Sequence, residues 1–233
     1  MKRRTLNVSF RRLWASVYWK IVRLLNQQVR VAGLTTLAER TENFAKVTWL
    51  GKPMMQNICD AWTIQETILE QDIELVVECG TLNGGSAFFM ASLFDFVGRG
   101  RIMSIDIDAK VNFSHPRITF CKGSSTDPLI LEEVSKFIAT RTDGKLLVLL
   151  DSNHAADYVL SELQIYSELM RSGDFLLVQD GAADELPGAW KFRPGPLVAI
   201  EKFLENNNSF SVDSERSQRY IFSNSPKGWL YKL

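Results

Sequence analysis

The chain has 233 residues, 45% hydrophobic and 23% charged, with 27 Lys/Arg balanced by 27 Asp/Glu. That length suits one α/β domain with a substantial core plus an extra segment, and the composition is that of an ordinary soluble globular protein. Cys59, Cys79 and Cys121 are scattered without a CxxC pair, which excludes a disulfide framework and fits a reducing, cytoplasmic setting. Charge is uneven: residues 1–38 hold eight Lys/Arg and no acid, while the remainder holds 19 basic and 27 acidic residues, a net of −8. The body therefore lacks a nucleic-acid signature, and any anion-seeking role belongs to the N-terminus.

The N-terminal segment has helical periodicity. Phe10, Leu13, Trp14, Val17, Tyr18, Ile21, Leu24 and Leu25 share one face, with Arg11, Arg12, Lys20 and Arg23 outside it. Lys20 and Arg23 break the apolar run below the length that spans a bilayer, and no small-residue cleavage site marks a secretory signal. Residues 1–44 read as a basic helical extension that packs on the domain or on a second subunit, so a homo-oligomer is expected. The alternative is a basic helix lying on an anionic membrane surface, with Trp19 on its polar face, which would make the protein membrane-associated.

Residues 45–233 form one domain in which strand and helix alternate. Strands are predicted at 73–78, 101–106, 118–121, 145–150 and 174–179, and helices at 85–96, 128–140, 156–171 and 196–206. Two last strands are predicted at 209–213 and 219–223. Near-continuous apolar runs at 73–78, 145–150 and 174–179 indicate strands covered on both faces. That implies a doubly wound, mostly parallel seven-stranded α/β sheet. Ligands bind outside the carboxyl ends of such strands, where Glu78, Asp106, Asp151 and Asp180 stand.

The first of these ends opens Glu78-Cys79-Gly80-Thr81-Leu82-Asn83-Gly84-Gly85-Ser86. Glycines at a strand-to-helix turn let the backbone approach a ligand closely, and the helix N-terminus offers unpaired N–H groups. The spacing is neither the GxGxxG of dinucleotide binders nor a GK[ST] phosphate loop. With Asp106 placed to grip two ribose hydroxyls, the pattern indicates S-adenosylmethionine before NAD or ATP. Ser124 and Ser125, in Gly123-Ser124-Ser125-Thr126-Asp127, either reach the adenine or start a helix before Pro128.

The second constellation is Asp151-Ser152-Asn153-His154 with Gln179-Asp180. Two acids at neighbouring strand ends can share a hard cation, and Gln179 can add a carbonyl oxygen. Such a cation would lower the pKa of an acceptor hydroxyl, and His154 suits the general base that O-methyl transfer needs. His115, before the strand at 118, reads as structural.

The same residues carry a resemblance. Trp49-Leu50-Gly51, Asp60 to Glu66, Glu78 to Ser86, Ser104 to Ile107, His115 to Ile118, Gly123 to Ser125, Leu150 to His154, Val178 to Asp180, Gly195-Pro196 with Phe203-Leu204, and Ser225 to Leu230 occur in that order. Over roughly residues 45–233 the chain resembles the cephalosporin hydroxylase family, which includes cephalosporin 7-methoxylation proteins and macrolide and rhamnosyl O-methyltransferases. The resemblance implies a class I methyltransferase fold, S-adenosylmethionine, and a magnesium ion at Asp151, Gln179 and Asp180, with His154 as base. Two departures stand out: the family usually has Glu-Asp where this chain has Gln179-Asp180, and tends to Lys and Pro where it has Gln56 and Ile58.

The expected function is S-adenosylmethionine-dependent O-methylation of a hydroxyl on a sugar, glycolipid or secondary metabolite. Glu78, Gly80, Thr81, Asn83, Gly84, Gly85, Ser86, Asp106, Ser124, Ser125 and Asp151 are the expected cofactor-binding residues, and His154 with Asp151 the catalytic ones. The alternatives are a nucleoside-binding accessory protein of an oxygenase system, or a membrane- or complex-attached binding protein with a degenerate site.

Overall fold

A computed structural model describes residues 4–233, with side chains from residue 14 onward except those at 23, 190 and 192. In chain order the elements are α1 (Arg4–Arg40), β1 (Thr48–Trp49), β2 (Lys52–Pro53), α2 (Ile58–Glu70), β3 (Ile73–Cys79), α3 (Gly85–Val97), β4 (Arg101–Asp106) and β5 (Ile118–Lys122). There follow α4 (Pro128–Ala139), β6 (Lys145–Leu150), α5 (Ala156–Glu168), β7 (Phe175–Val178), α6 (Pro196–Asn206), β8 (Phe210–Val212), α7 (Ser214–Ser217) and β9 (Trp229–Lys232). Two 3₁₀ turns, Gly181–Asp184 and Pro187–Phe192, lie between β7 and α6.

Seven strands form one sheet in the order β5-β4-β3-β6-β7-β9-β8. The first five run parallel, and β9 pairs antiparallel with both β7 and β8. The two central strands are the driest: Leu75, Val76, Val77 and Cys79 on β3 and Leu146, Leu147 and Val148 on β6 have no exposed surface. Each such side chain contributes roughly 1.5–3 kcal/mol of burial. Alternate residues feed two cores. Leu75, Val77, Leu146 and Val148 pack against α4, α5 and α6, whereas Val76, Leu147 and Leu149 pack against α2 and α3. Both faces are covered, as the uninterrupted apolar runs require.

The strand expected at 219–223 does not form; the chain closes its sheet with β9 instead. Side-chain bonds hold the 219–224 run away from the sheet. Arg219 pairs with Glu66, Glu70 and Glu215, the Asn57 amide donates to the Phe222 carbonyl, and the Asn224 N–H donates to Asp60. Trp229 and Leu230, both buried, take the ladder positions beside β7 and β8 instead. Helix α2 was not expected as an element, although Asn57 caps it by accepting from the Cys59 N–H and Ala61, Ile64 and Ile68 form its buried stripe.

The C-terminal part of α1 rests on the domain. Leu34 is buried, a Cβ on Gly33 would lie 2.1 Å from the Phe222 ring, and Arg30 pairs with Glu185. From Val17 to Val29 its apolar residues are exposed apart from the half-buried Val22.

Candidate functional site

A cavity of about 960 Å³ opens at the carboxyl ends of β3, β4, β5, β6 and β7. Its wall includes Gly80, Thr81, Asn83, Gly85, Ser86, Asp106, Ser124, Ser125, Asp151, His154 and Asp180. Glu78, Gly84 and Gln179 are not on that wall. The structure thus brings both sequence constellations to one space and sets three expected residues behind or beside it.

Gly80 has φ +105, and a Cβ there would meet the Asp151 carbonyl oxygen at 2.1 Å. Glycine is required because the ends of β3 and β6 pass in contact. Gly85 allows the first turn of α3 to press against Pro53, whose carbonyl oxygen a Cβ would approach at 1.9 Å. Gly84 caps α3 with φ +75.

Glu78 is buried behind this turn, where it accepts hydrogen bonds from the hydroxyls of Ser86 and Ser104. Burial pushes its carboxyl up to about 7 despite those donors, and the Asp106 charge adds to the rise. Thr81 shares a 2.6 Å hydrogen bond with Ser104. Glu78 therefore fastens the strand end to the start of α3 from beneath. Asp106 stands on the wall and accepts from the backbone N–H groups of Leu82 at 2.8 Å and Asp108 at 2.7 Å. A carboxylate has about four acceptor directions, so these bonds shape the turn and leave capacity for ligand hydroxyls.

Ser124 and Ser125 lie 2.9 and 3.0 Å from the Tyr158 hydroxyl. Neither caps α4; Asp127 does, accepting from the Leu129 N–H. Ser125 and Ser152 both donate to Glu162, which joins the loop after β5 to the loop after β6 beneath the cavity.

On the other side, Asp151, His154 and Asp180 offer ligand atoms within 4.8 Å of one another. His154 Nε2 lies 3.2 Å from Asp180 Oδ2. That bond, reinforced by the charges of Asp180 and Asp151, raises the imidazole to about 9 against the opposing effect of burial. Burial, then the neighbouring Asp180, pushes Asp151 well above the usual carboxylate range. Asp180 itself has φ +57, which turns its carboxylate off the end of β7.

Gln179 is buried, and its amide faces Gln56. Gln56 Nε2 donates to Gln179 Oε1 at 2.9 Å and to Asp151 Oδ2 at 3.1 Å, and Gln179 Nε2 returns a bond to Gln56 Oε1 at 2.7 Å. The expected oxygen ligand at 179 is thus engaged by another side chain, and the convergent donor set is two carboxylates with one imidazole. The two carboxylates suit a hard divalent ion completed by water or substrate oxygen, with the imidazole beside it.

Residues 41–233 match the family described as Rhamnosyl O-methyltransferase/CmcI. The chain belongs to this family. Among its relatives, rhamnosyl O-methyltransferases of Mycobacterium tuberculosis and Mycobacterium bovis are 31% identical over 196 residues, covering 81% of this chain and 79% of theirs. One from Mycobacterium leprae is 31% identical over 190 residues, covering 79% and 82%. A CmcI structure with Mg and SAM shares the fold, at 18% identity and a TM-score of 0.62, covering 82% of this chain and 78% of that one. The protein is accordingly an S-adenosylmethionine-dependent O-methyltransferase.

Several site residues escaped sequence reasoning. Tyr158, Lys191, Arg193 and Pro194 line the cavity, but nothing in their spacing marks them. Gln56 was noticed only as a departure from the family. Its contact with Gln179 appears only in the folded chain.

Proposed function

We propose that the acceptor is a sugar hydroxyl and that Asp151, His154 and Asp180 carry the acceptor half of the reaction. The observation behind this reading is the convergence of those three side chains on the wall that also holds the glycine turn and Asp106. The names of the mycobacterial relatives favour a rhamnosyl group among sugars.

In this reading Asp106 receives the ribose hydroxyls of S-adenosylmethionine. Gly80, Thr81, Asn83, Gly85 and Ser86 place the backbone and the N-terminus of α3 along the rest of the donor, with Glu78 and Gly84 holding the turn in shape. Ser124 and Ser125, aligned by Tyr158, border the nucleoside. Asp151 and Asp180 would hold a divalent ion that lowers the pKa of the bound hydroxyl. Gln179 supports Asp151 through Gln56. His154 takes the hydroxyl proton as the acceptor oxygen bonds to the methyl carbon and the sulfonium bond breaks. Asp180 orients the imidazole and stabilises its charged form. Both residue groups line one cavity, which would let donor and acceptor meet in the in-line orientation that displacement at methyl demands.

The test is incubation of the purified chain with labelled S-adenosylmethionine and a panel of rhamnosides, other glycosides and aglycone alcohols. Label should appear on a sugar hydroxyl and fall on addition of EDTA. A chain that binds the methyl donor but labels only non-sugar alcohols would overturn the acceptor class.

A further inference from the structure

We infer that the outward half of α1 is a docking surface for anionic phospholipid. Val17, Tyr18, Ile21, Leu24, Leu25 and Val29 are each more than 40% exposed. At 100° per residue these positions, with Val22, spread over nearly half of the helix circumference. That breadth differs from the narrow two-in-seven seam of a coiled coil, and it fits a helix lying half-immersed at a bilayer surface. From Val17 to Val29 the face is roughly 20 Å long.

Charge distinguishes lipid from a second copy of the chain. Residues 1–38 carry eight Lys/Arg and no acid. Two such helices side by side would bring cations together with no carboxylate in either segment to pair them. An anionic leaflet supplies counter-charge to the segment's cations other than Arg30, which pairs with Glu185. Lys20 is at one margin of the apolar face, and Trp19 lies edge-on to Tyr18 at 5.4 Å between ring centroids, an amphipathic pair suited to the headgroup region. No helix among the described residues is long and apolar enough to cross a membrane, so the contact is with the surface.

The docking face is fixed to the site through the rest of α1. Arg30 pairs with Glu185, and Gly33 sits against Phe222. Glu185 belongs to the same 181–194 stretch that gives Lys191, Arg193 and Pro194 to the cavity wall. A membrane-bound α1 therefore holds that wall beside the lipid surface.

Co-sedimentation of the full chain with vesicles tests the inference. Vesicles of phosphatidylcholine with phosphatidylglycerol should bind at least about tenfold more strongly than phosphatidylcholine alone, and binding should weaken as salt screens the cations. The doubly substituted chain Leu24→Glu/Leu25→Glu should lose at least about tenfold in vesicle affinity with its thermal unfolding unchanged, since both positions are exposed. Equal binding to neutral and anionic vesicles, or full binding by the double variant, would overturn it. So would light scattering that shows a wild-type dimer which the double variant splits, because the face would then belong to a second copy.

Discussion

Gln56 and Gln179, 123 residues apart in sequence, bond each other amide to amide, and Gln56 passes its second contact on to Asp151. Both side chains are buried. An amide presents a donor and an acceptor on one rigid plane, so two can close a reciprocal pair without charge. The pair holds Asp151 from behind and leaves the negative charge of the donor cluster to Asp151 and Asp180.

A charge introduced on one side of that pair should be costly. Gln179→Glu buries a carboxylate beside Asp151 and should destabilise the metal-free protein by about 3–5 kcal/mol, the cost of an uncompensated buried charge. Gln56→Lys in the same chain should recover most of it. Thermal unfolding of both single variants and the double variant measures the coupling, and additive losses would show that the two side chains do not act as a unit.

The Asp180 bond should govern the titration of His154. With the imidazole raised to about 9, Asp180 holds His154 as a cation at neutral pH, and the ring becomes a base only when a divalent ion draws that carboxylate away. Its stabilising contribution is present below the ordinary histidine pKa and is lost as pH rises through about 9. Magnesium should compete for Asp180 and lower that pKa, which proton resonances of the His154 ring would report. An unmoved resonance at saturating magnesium would mean that Asp180 is no ligand. His154→Ala should reduce turnover by about 10²–10⁴-fold with donor affinity retained.

Glu78 should make the fold less stable as the solution becomes less acidic. The unfolded chain releases this proton near the ordinary glutamate value of 4.5, whereas the native state keeps it to about 7. Between those values the native state binds more protons, so stability falls as pH rises, and it levels off above about 7. Asp60, also raised to about 7 by burial, acts with the same sign. Glu78→Gln should flatten part of the slope in unfolding curves taken across this range; an unchanged slope would assign it to Asp60.

Asp106→Ala should weaken S-adenosylmethionine binding by about 1–3 kcal/mol through loss of charge-assisted hydrogen bonds. Because Asp106 also fixes the Leu82 and Asp108 amides, Asp106→Asn should recover part of the loss by retaining one acceptor oxygen. Calorimetry on folded variants with unaltered affinity would place the ribose contact elsewhere.

Much of this was legible in the residues. Strands buried on both faces leave continuous apolar runs, so β3, β6 and β7 and the acids at their ends were readable, and the chain brings Asp151, His154 and Asp180 together. Residues 219–223 looked like a strand because a short apolar run cannot report the Arg219 and Asn224 contacts that pull the segment elsewhere. Glu78 read as a ligand group, yet position at a strand end does not say whether a side chain turns toward the cavity or beneath it. The engagement of Gln179 by Gln56 depends on contact across the fold, which no local pattern encodes.

The Asp151 N–H bonds the Cys79 carbonyl at 2.8 Å, and the Gly80 N–H bonds the Ile105 carbonyl at 2.8 Å. The strand ends that carry the donor turn, Asp106 and Asp151 are thus stitched into one backbone lattice. The spacing of the glycine turn, Asp106 and Asp151 is set by sheet geometry, independent of the 181–194 stretch. Substitutions in residues 181–194 would then reshape that part of the cavity wall while the spacing of those three positions stays the same. A lineage built this way can change its customers without recalibrating its chemistry.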